Sequence, residues 1–269
     1  MTKITRNYLW GCNPKYLENN YNDHHNQAAL KSAIYGILAN NAYPPSTRPQ
    51  FKLPENWRPI DFEFDDPLDS GLDFTLFARS VGGETREVVI AYRGIDGAQD
   101  WKDGNTFQTQ YDSADILVPQ VMQHFQGCKI VCSGHSLGGG LALHTSLITP
   151  EIDAFAFNPS FRLQSNGRAE NNLRYCLHEK GDILSFHRFI WKNPSDTLVF
   201  GDFNFSYKKN HTSYPLTRGL LMLAALQSRE YAELLVQNCE LTAEEYELIE
   251  MPETTWAGKG YAVLPPEPI

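Results

Sequence analysis

The chain has 269 residues, of which 42% are hydrophobic and 20% charged, with a formal net charge of −9. This size and composition predict one large globular domain and argue against extensive disorder. An acidic chain is a poor candidate for nucleic-acid binding, which depends on neutralising phosphates, and charge alone would not hold it on an anionic membrane.

The N-terminal residues contain no apolar run of the secretory-signal type, and the most apolar stretch, 216–226, is too short to cross a bilayer. We therefore expect synthesis as a soluble cytoplasmic protein without a signal peptide, with leaderless export left open. The five cysteines form no CxxC pair and no zinc-type Cys/His cluster, so we expect neither a disulfide framework nor a structural metal. Cys132 lies in an apolar run and is expected to be a buried free thiol.

Apolar residues at helical spacing predict a first helix over about 30–38. The segment 44–69 is rich in proline and acidic residues, and we expect it to wrap the surface. Two strands are predicted at 74–78 and 88–92, with Gly82-Gly83 supplying a turn between them.

Helices and strands alternate in the central part of the chain. A helix is predicted over 112–125, where Pro119 is expected near the first turn because proline disrupts a helix interior. A short buried strand, 129–133, precedes a second helix that runs to about Ile148. Further strands are predicted at 154–157, 174–177 and 197–200, and an apolar helix near Leu216. This alternation favours an α/β sheet.

The glycine-rich turn after the strand at 129–133 carries the clearest chemical signal. Gly134, Ser136 and Gly138 match the G-x-S-x-G pattern, in which a serine on a tight strand-to-helix turn exposes its hydroxyl for nucleophilic attack. The alternatives are a flexible glycine loop and a phosphate-binding loop. The second is disfavoured because no Lys-Ser or Lys-Thr pair follows and G-x-G-x-x-G is absent. We predict Ser136 to be a nucleophile.

Two segments resemble the class 3 lipases, the fungal-type triacylglycerol lipase and phospholipase A1 family. Residues 134–139, GHSLGG, are similar to its nucleophile elbow, and 88–94, followed by Asp100-Trp101, is similar to its strand ending in Arg-Gly. The resemblance implies a single α/β-hydrolase-like domain with a mostly parallel central sheet and flanking helices. We expect this domain over 1–240, with its N-terminal helix included, and an acidic tail over 241–269 that packs on it or trails from it.

A serine nucleophile needs a base, usually a histidine that a carboxylate orients, and in such folds the order is Ser, Asp, His. Asp182 follows a predicted strand and stands where the family has its acid, so we predict it to be the acid, with Asp196 and Asp202 as substitutes. His211 lies in a loop before the apolar helix, where the family places its base. His187 is the second choice.

The oxyanion of the reaction needs backbone donors. We expect one from Leu137 and, by the resemblance, one from Ile95, where the family usually has Thr or Ser. Asp96 is expected to point away, because its charge would oppose the oxyanion. The short segment 100–103 occupies the lid region and carries one large apolar residue, Trp101, so pronounced interfacial activation is not expected.

These features predict a serine carboxylic-ester hydrolase that acts on lipid esters without any metal or organic cofactor. Its expected partners are a lipid ester and, transiently, a membrane, but no nucleic acid; phospholipid or lysophospholipid is favoured over triglyceride. A secreted bacterial lipase effector would fit such a chain. The alternatives are a non-catalytic lipase-like module that binds a lipid or a protein, and a thioesterase or peptidase on the same scaffold.

Overall fold

A computed structural model gives the structure of the protein over residues 23–95, 104–160, 169, 171–179, 182, 184, 197–201, 211–241, 245, 246 and 249. Its strands form a seven-stranded sheet in the order β1 to β7. They are β1 (Trp57–Ile60), β2 (Phe74–Val81), β3 (Glu84–Tyr92), β4 (Lys129–His135), β5 (Asp153–Phe157), β6 (Arg174–Glu179) and β7 (Thr197–Gly201). The pairs from β1 to β3 are antiparallel, and those from β3 to β7 are parallel.

The helices described are α1 (Asp23–Asn41), α2 (Gly104–His124), α3 (Leu137–Ile148), α4 (Ser213–Ala225) and α5 (Arg229–Asn238). They lie on both faces of the sheet: α1 and α4 cover one apolar cluster, and α2 and α3 cover another. Strand β4 separates the two by simple alternation, since Val131 belongs to the first cluster and Ile130 and Cys132 to the second. The predicted α/β-hydrolase-like fold is confirmed.

The hairpin between β2 and β3 confirms the predicted turn. Val81 pairs with Glu84, so Gly82 and Gly83 are its two loop residues, with φ of 60° and 86°. Both angles lie in the left-handed region that a two-residue turn of this kind requires, and glycine adopts it without steric cost.

Strand β1 lies in the segment that we expected only to wrap the surface, so that prediction was incomplete. Its four residues pair with β2 on one side. Pro59 is tolerated because an edge strand can lose one backbone donor without breaking a ladder on both sides. A four-residue strand that contains a proline gives little signal of its own.

The prediction for Pro119 was wrong. Helix α2 begins at Gly104 and carries Pro119 well inside it, close to its C-terminal end. A proline in this place removes the hydrogen bond to the carbonyl four residues earlier, that of Asp115. Asp115 and Pro119 are both exposed, so water can satisfy that carbonyl, and the buried face of α2 continues unbroken through Leu117 and Val121.

A third apolar cluster joins α4 to α5. Helix α5 was not predicted from the sequence. Beyond α5, the Glu245 side chain is 2% exposed and bonds the Arg218 guanidinium of α4 at 3.0 Å, and Ile249 packs against the third cluster.

Within the described ranges, no helix has the length and apolar character needed to span a membrane. Cys132 is fully buried and is not in a disulfide, which confirms the predicted buried free thiol; burial raises the pKa of the thiol to about 12.

Candidate active site

Ser136 lies on the turn that joins β4 directly to α3. Its φ of 61° and ψ of −124° lie in a region that residues with a side chain rarely adopt. The turn is held by backbone hydrogen bonds on both sides: the Ser136 N–H donates to the Phe157 carbonyl at 3.0 Å, and the Ser136 carbonyl accepts from the Ser160 N–H at 2.8 Å. The predicted strand, sharp turn and helix are therefore present around this serine.

The glycines of the pattern are explained by close packing around the turn. A Cβ on Gly134 would overlap the backbone of Gly138, and a Cβ on Gly138 would overlap the Tyr92 carbonyl at the end of β3. These neighbours are backbone atoms in the sheet and at the start of α3, and neither can move aside cheaply. The first turn of α3 can therefore lie directly against β3 only because both positions lack a side chain.

The backbone strain at Ser136 predicts a stability difference between two variants that both lack the hydroxyl. The free energy of unfolding is expected to be about 1 kcal/mol larger for the Ser136→Gly variant than for the Ser136→Ala variant. Glycine relieves the backbone strain of the folded state, and this gain exceeds the cost of the extra entropy that glycine gives the unfolded chain. Urea unfolding of both variants measures the difference. A free energy of unfolding for Ser136→Ala that equals or exceeds that of Ser136→Gly would contradict the prediction.

Asp182 and His211 are brought together across the loops that follow β6 and precede α4. The Asp182 side chain is fully buried, and one carboxylate oxygen is hydrogen-bonded to Nδ1 of His211. The other accepts from the Leu184 N–H at 3.1 Å. This fixes both the carboxylate plane and the imidazole that binds it. Strands β4, β5 and β6 are parallel neighbours, so residues that follow them gather at one edge of the sheet, where α/β proteins commonly bind ligands.

The imidazole of His211 lies beside the nucleophile turn. Its ring centroid is 4.7 Å from that of His135, the residue before Ser136. Both Nε2 of His211 and Oγ of Ser136 are buried and have no hydrogen-bond partner among the described residues. Buried polar atoms are rarely left unsatisfied, because the loss of water costs free energy, and such atoms concentrate at functional sites. An imidazole nitrogen can act as the general base that accepts a proton from a serine hydroxyl.

The two predicted oxyanion donors lie on segments that touch. Leu137 is the first residue of α3, whose initial N–H groups have no acceptor within the helix. Ile95 follows Gly94, and a Cβ on Gly94 would lie 2.5 Å from the His135 carbonyl oxygen. The Ile95 side chain packs against the apolar cluster that contains Leu137. Asp96 and the segment 100–103, with Trp101, lie outside the described residues.

Tyr43 and Arg48 also belong to this region, and sequence reasoning missed them. Tyr43 is 1% exposed and its hydroxyl lies 3.2 Å from the His135 carbonyl oxygen. The Arg48 guanidinium lies 3.3 Å from the centroid of the Tyr43 ring and donates to Ser213 Oγ at 2.7 Å. Both residues lie about ninety positions before the elbow, in or beside a proline-rich segment, so no periodic signal connects them with it.

The alternative acids and base named from the sequence, Asp196, Asp202 and His187, lie outside the described residues. A further histidine, His144 of α3, is bound to Asp115, with 2.9 Å between Nε2 and Oδ1, at the contact between α2 and α3. In the ranges that the structure covers, no group of His, Cys, Asp and Glu is arranged to hold a metal ion.

Solved structures with a similar fold include several lipases. Lip2 lipase from Yarrowia lipolytica is 16% identical over 66% of this chain and 80% of that chain, with a TM-score of 0.43. Lipase II from Rhizopus niveus is 15% identical over 61% and 76%, with a TM-score of 0.43. Similarity this distant carries no information about substrate. No curated protein matches the chain at a significant level.

Residues 34–171, just over half of the chain, match the phospholipase-like family model for the Tle-like phospholipase domain. The match contains the end of β3, the elbow and the segment with Tyr43 and Arg48. It ends before Asp182 and His211. The predicted membership of a lipase and phospholipase family is confirmed: the chain belongs to the family of the Tle-like phospholipase domain.

Proposed function

We propose that the protein is a serine carboxylic-ester hydrolase that cleaves acyl esters of phospholipids or lysophospholipids. One observation carries this proposal: a buried carboxylate, Asp182, holds Nδ1 of a histidine whose ring lies against the residue before Ser136. The phospholipase-like family supports the substrate class. The strained turn at Ser136 supports the role of nucleophile, because strain of this kind is retained where it serves a mechanism.

In the first half of the reaction, Nε2 of His211 takes the proton of the Ser136 hydroxyl while the oxygen attacks the ester carbonyl. Asp182 accepts the hydrogen bond from Nδ1–H and so leaves Nε2 unprotonated before the attack. The N–H groups of Leu137 and Ile95 stabilise the negative charge that develops on the carbonyl oxygen. The tetrahedral intermediate then expels the alcohol, which takes the proton from His211 and leaves an acyl group on Ser136.

In the second half, water loses a proton to His211 and attacks the acyl carbonyl. Collapse of this intermediate returns the proton to Ser136 and releases the fatty acid. The side chains proposed for these steps supply acid, base and nucleophile, and backbone N–H groups supply the oxyanion donors, so the cycle needs no metal or organic cofactor.

The preference for phospholipid over triglyceride rests on two points. The family description is that of a phospholipase, and Ile95 stands where triacylglycerol lipases usually have a hydroxyl residue. Contact with a membrane would be brief, since a net charge of −9 weakens binding to anionic surfaces. Cytoplasmic synthesis and export as a bacterial lipase effector stay predictions from the sequence.

Activity-based labelling tests the proposed chemistry directly. A fluorophosphonate probe is expected to form an adduct that peptide mass spectrometry locates at Ser136, and incubation with a mixed phospholipid and neutral-lipid extract is expected to release fatty acid and lysophospholipid. Hydrolysis of thioester or amide analogues in preference to matched esters would point to the thioesterase or peptidase alternative. A folded protein that forms no adduct and releases no product would contradict the proposal and favour a non-catalytic binding module.

A further inference from the structure

The Tyr43 hydroxyl joins the two backbone segments that carry the oxyanion donors of the proposed reaction. It accepts a hydrogen bond from the Gly94 N–H at 3.0 Å, and Gly94 immediately precedes Ile95. The same oxygen lies 3.2 Å from the carbonyl oxygen of His135 and 3.3 Å from its Nδ1. Its single proton can therefore be donated to the residue before Ser136, while its lone pair holds the residue before Ile95.

The two segments are also in direct contact at this point. A Cβ on Gly94 would lie 2.5 Å from the Tyr43 hydroxyl oxygen and 3.0 Å from Cβ of Ser136. The β3–β4 ladder ends at the pair Tyr92 and Gly134, and beyond it the hydrogen bonds of Tyr43 help to hold Gly94 against His135. A change in the separation of the two segments of a few tenths of an ångström would move the Ile95 N–H relative to that of Leu137.

Neighbouring groups restrain the Tyr43 ring itself. The Arg48 guanidinium lies over one face of the ring, and its NH1 is bonded to Ser213 Oγ, which in turn donates to Asn40 Oδ1 at 2.6 Å. A cation stacked on an aromatic face is attracted by the ring electrons and resists rotation of the ring out of its plane. The hydroxyl is thus presented from a fixed position.

We propose that Tyr43 is a positioning residue for the oxyanion hole. By holding Gly94, it sets the distance and angle between the Ile95 N–H and the Leu137 N–H. This inference rests on the proposed function. It matters in this chain because Ile95 has no hydroxyl, so its half of the hole consists of a backbone N–H alone. Donors of this kind act only when they lie within hydrogen-bond distance of the place where the oxyanion forms.

Tyr43→Phe removes the oxygen and keeps the ring under Arg48, so it tests the proposal. We expect kcat for a phospholipid ester to fall about tenfold to a hundredfold with KM little changed, since the donors act on the transition state. The affinity for an alkyl boronic acid, which forms a tetrahedral anionic adduct on the serine, is expected to fall by a similar factor. A purely structural role would lower the melting temperature without lowering that affinity.

Tyr35→Phe is the matched control. Tyr35 is also buried and its hydroxyl donates to Glu87 Oε1 at 2.6 Å, but Glu87 pairs with the first residue of β4, at the other end of the strand from Ser136. This variant is expected to lose stability and to keep its kcat. Should Tyr43→Phe fail to fold, Arg48→Leu, which leaves the hydroxyl but frees the ring, is expected to lower kcat with KM unchanged.

Three results separate this inference from the proposed function. Wild-type kcat and boronic-acid affinity in folded Tyr43→Phe would overturn the role of Tyr43 and leave the hydrolase intact. Wild-type kcat in Arg48→Leu would overturn it where Tyr43→Phe does not fold. A wild-type protein without hydrolysis or probe labelling would instead overturn the proposed function itself.

Discussion

Ser136→Ala is expected to lower kcat for phospholipid ester hydrolysis by about 10⁵- to 10⁶-fold, because loss of the nucleophile of a triad removes the covalent pathway altogether. The substitution deletes one oxygen and keeps Cβ, so the packing against Gly94 and the backbone of the turn are retained. The deleted Oγ has no hydrogen-bond partner among the described residues, and no bond is lost with it. The variant should therefore fold, and fatty-acid release measured by mass spectrometry should fall by the same factor, to the residual rate that the oxyanion donors and substrate binding support without a nucleophile.

Ser146→Ala is the matched control for this experiment. Ser146 lies in the same helix, α3, is fully buried, and its Oγ likewise has no hydrogen-bond partner in the described part of the protein. Its hydroxyl is remote from the turn, so the variant is expected to hydrolyse ester at the wild-type rate. Substantial turnover in folded Ser136→Ala would show that Ser136 is not the nucleophile. An equal loss in both variants would show that the loss comes from a general effect on α3 and not from the missing nucleophile.

The sequence predicted the fold best where local pattern and tertiary structure agree. Each strand from β2 to β7 contains a short apolar run, and β4 with the elbow adds glycines whose role depends on immediate backbone contacts. The position of Pro119 in its helix was predicted wrongly because the cost of a proline depends on whether the freed carbonyl can reach water. The solvent exposure of that carbonyl cannot be inferred from the proline itself.

The residues around the elbow were predictable only in part, for a related reason. Ser136, Asp182 and His211 follow the chain order that is expected for such a fold and for the family, so the sequence itself pointed to them. Tyr43 contacts backbone atoms of His135 and Gly94, and Arg48 contacts the ring of Tyr43. A contact with a backbone atom does not depend on the residue type of the partner, so no sequence pattern indicates it. The proline-rich segment that carries Arg48 was predicted to lie on the surface. Such contacts become visible only when the sheet edge is assembled.

Asp182→Asn is expected to lower kcat by about 10³- to 10⁴-fold, because it forces the wrong tautomer on His211. The Leu184 N–H donates to one carboxylate oxygen of Asp182, and Nδ1 of His211 is bonded to the other. The oxygen of the introduced amide is favoured beside Leu184, which needs an acceptor. Its NH₂ group then faces Nδ1, the proton of the imidazole moves to Nε2, and His211 can no longer accept the proton of Ser136.

Asp115→Asn gives this prediction a control within the same chain. Asp115 and His144 form a second Asp–His pair, 2.9 Å apart, away from the elbow, and the same change there is expected to leave kcat at the wild-type level. Circular dichroism and thermal unfolding would verify that both variants fold. If folded Asp182→Asn kept kcat within about tenfold of the wild type, a loss far below that of a wrong tautomer, Asp182 would not orient the base. Another carboxylate would then have to do so.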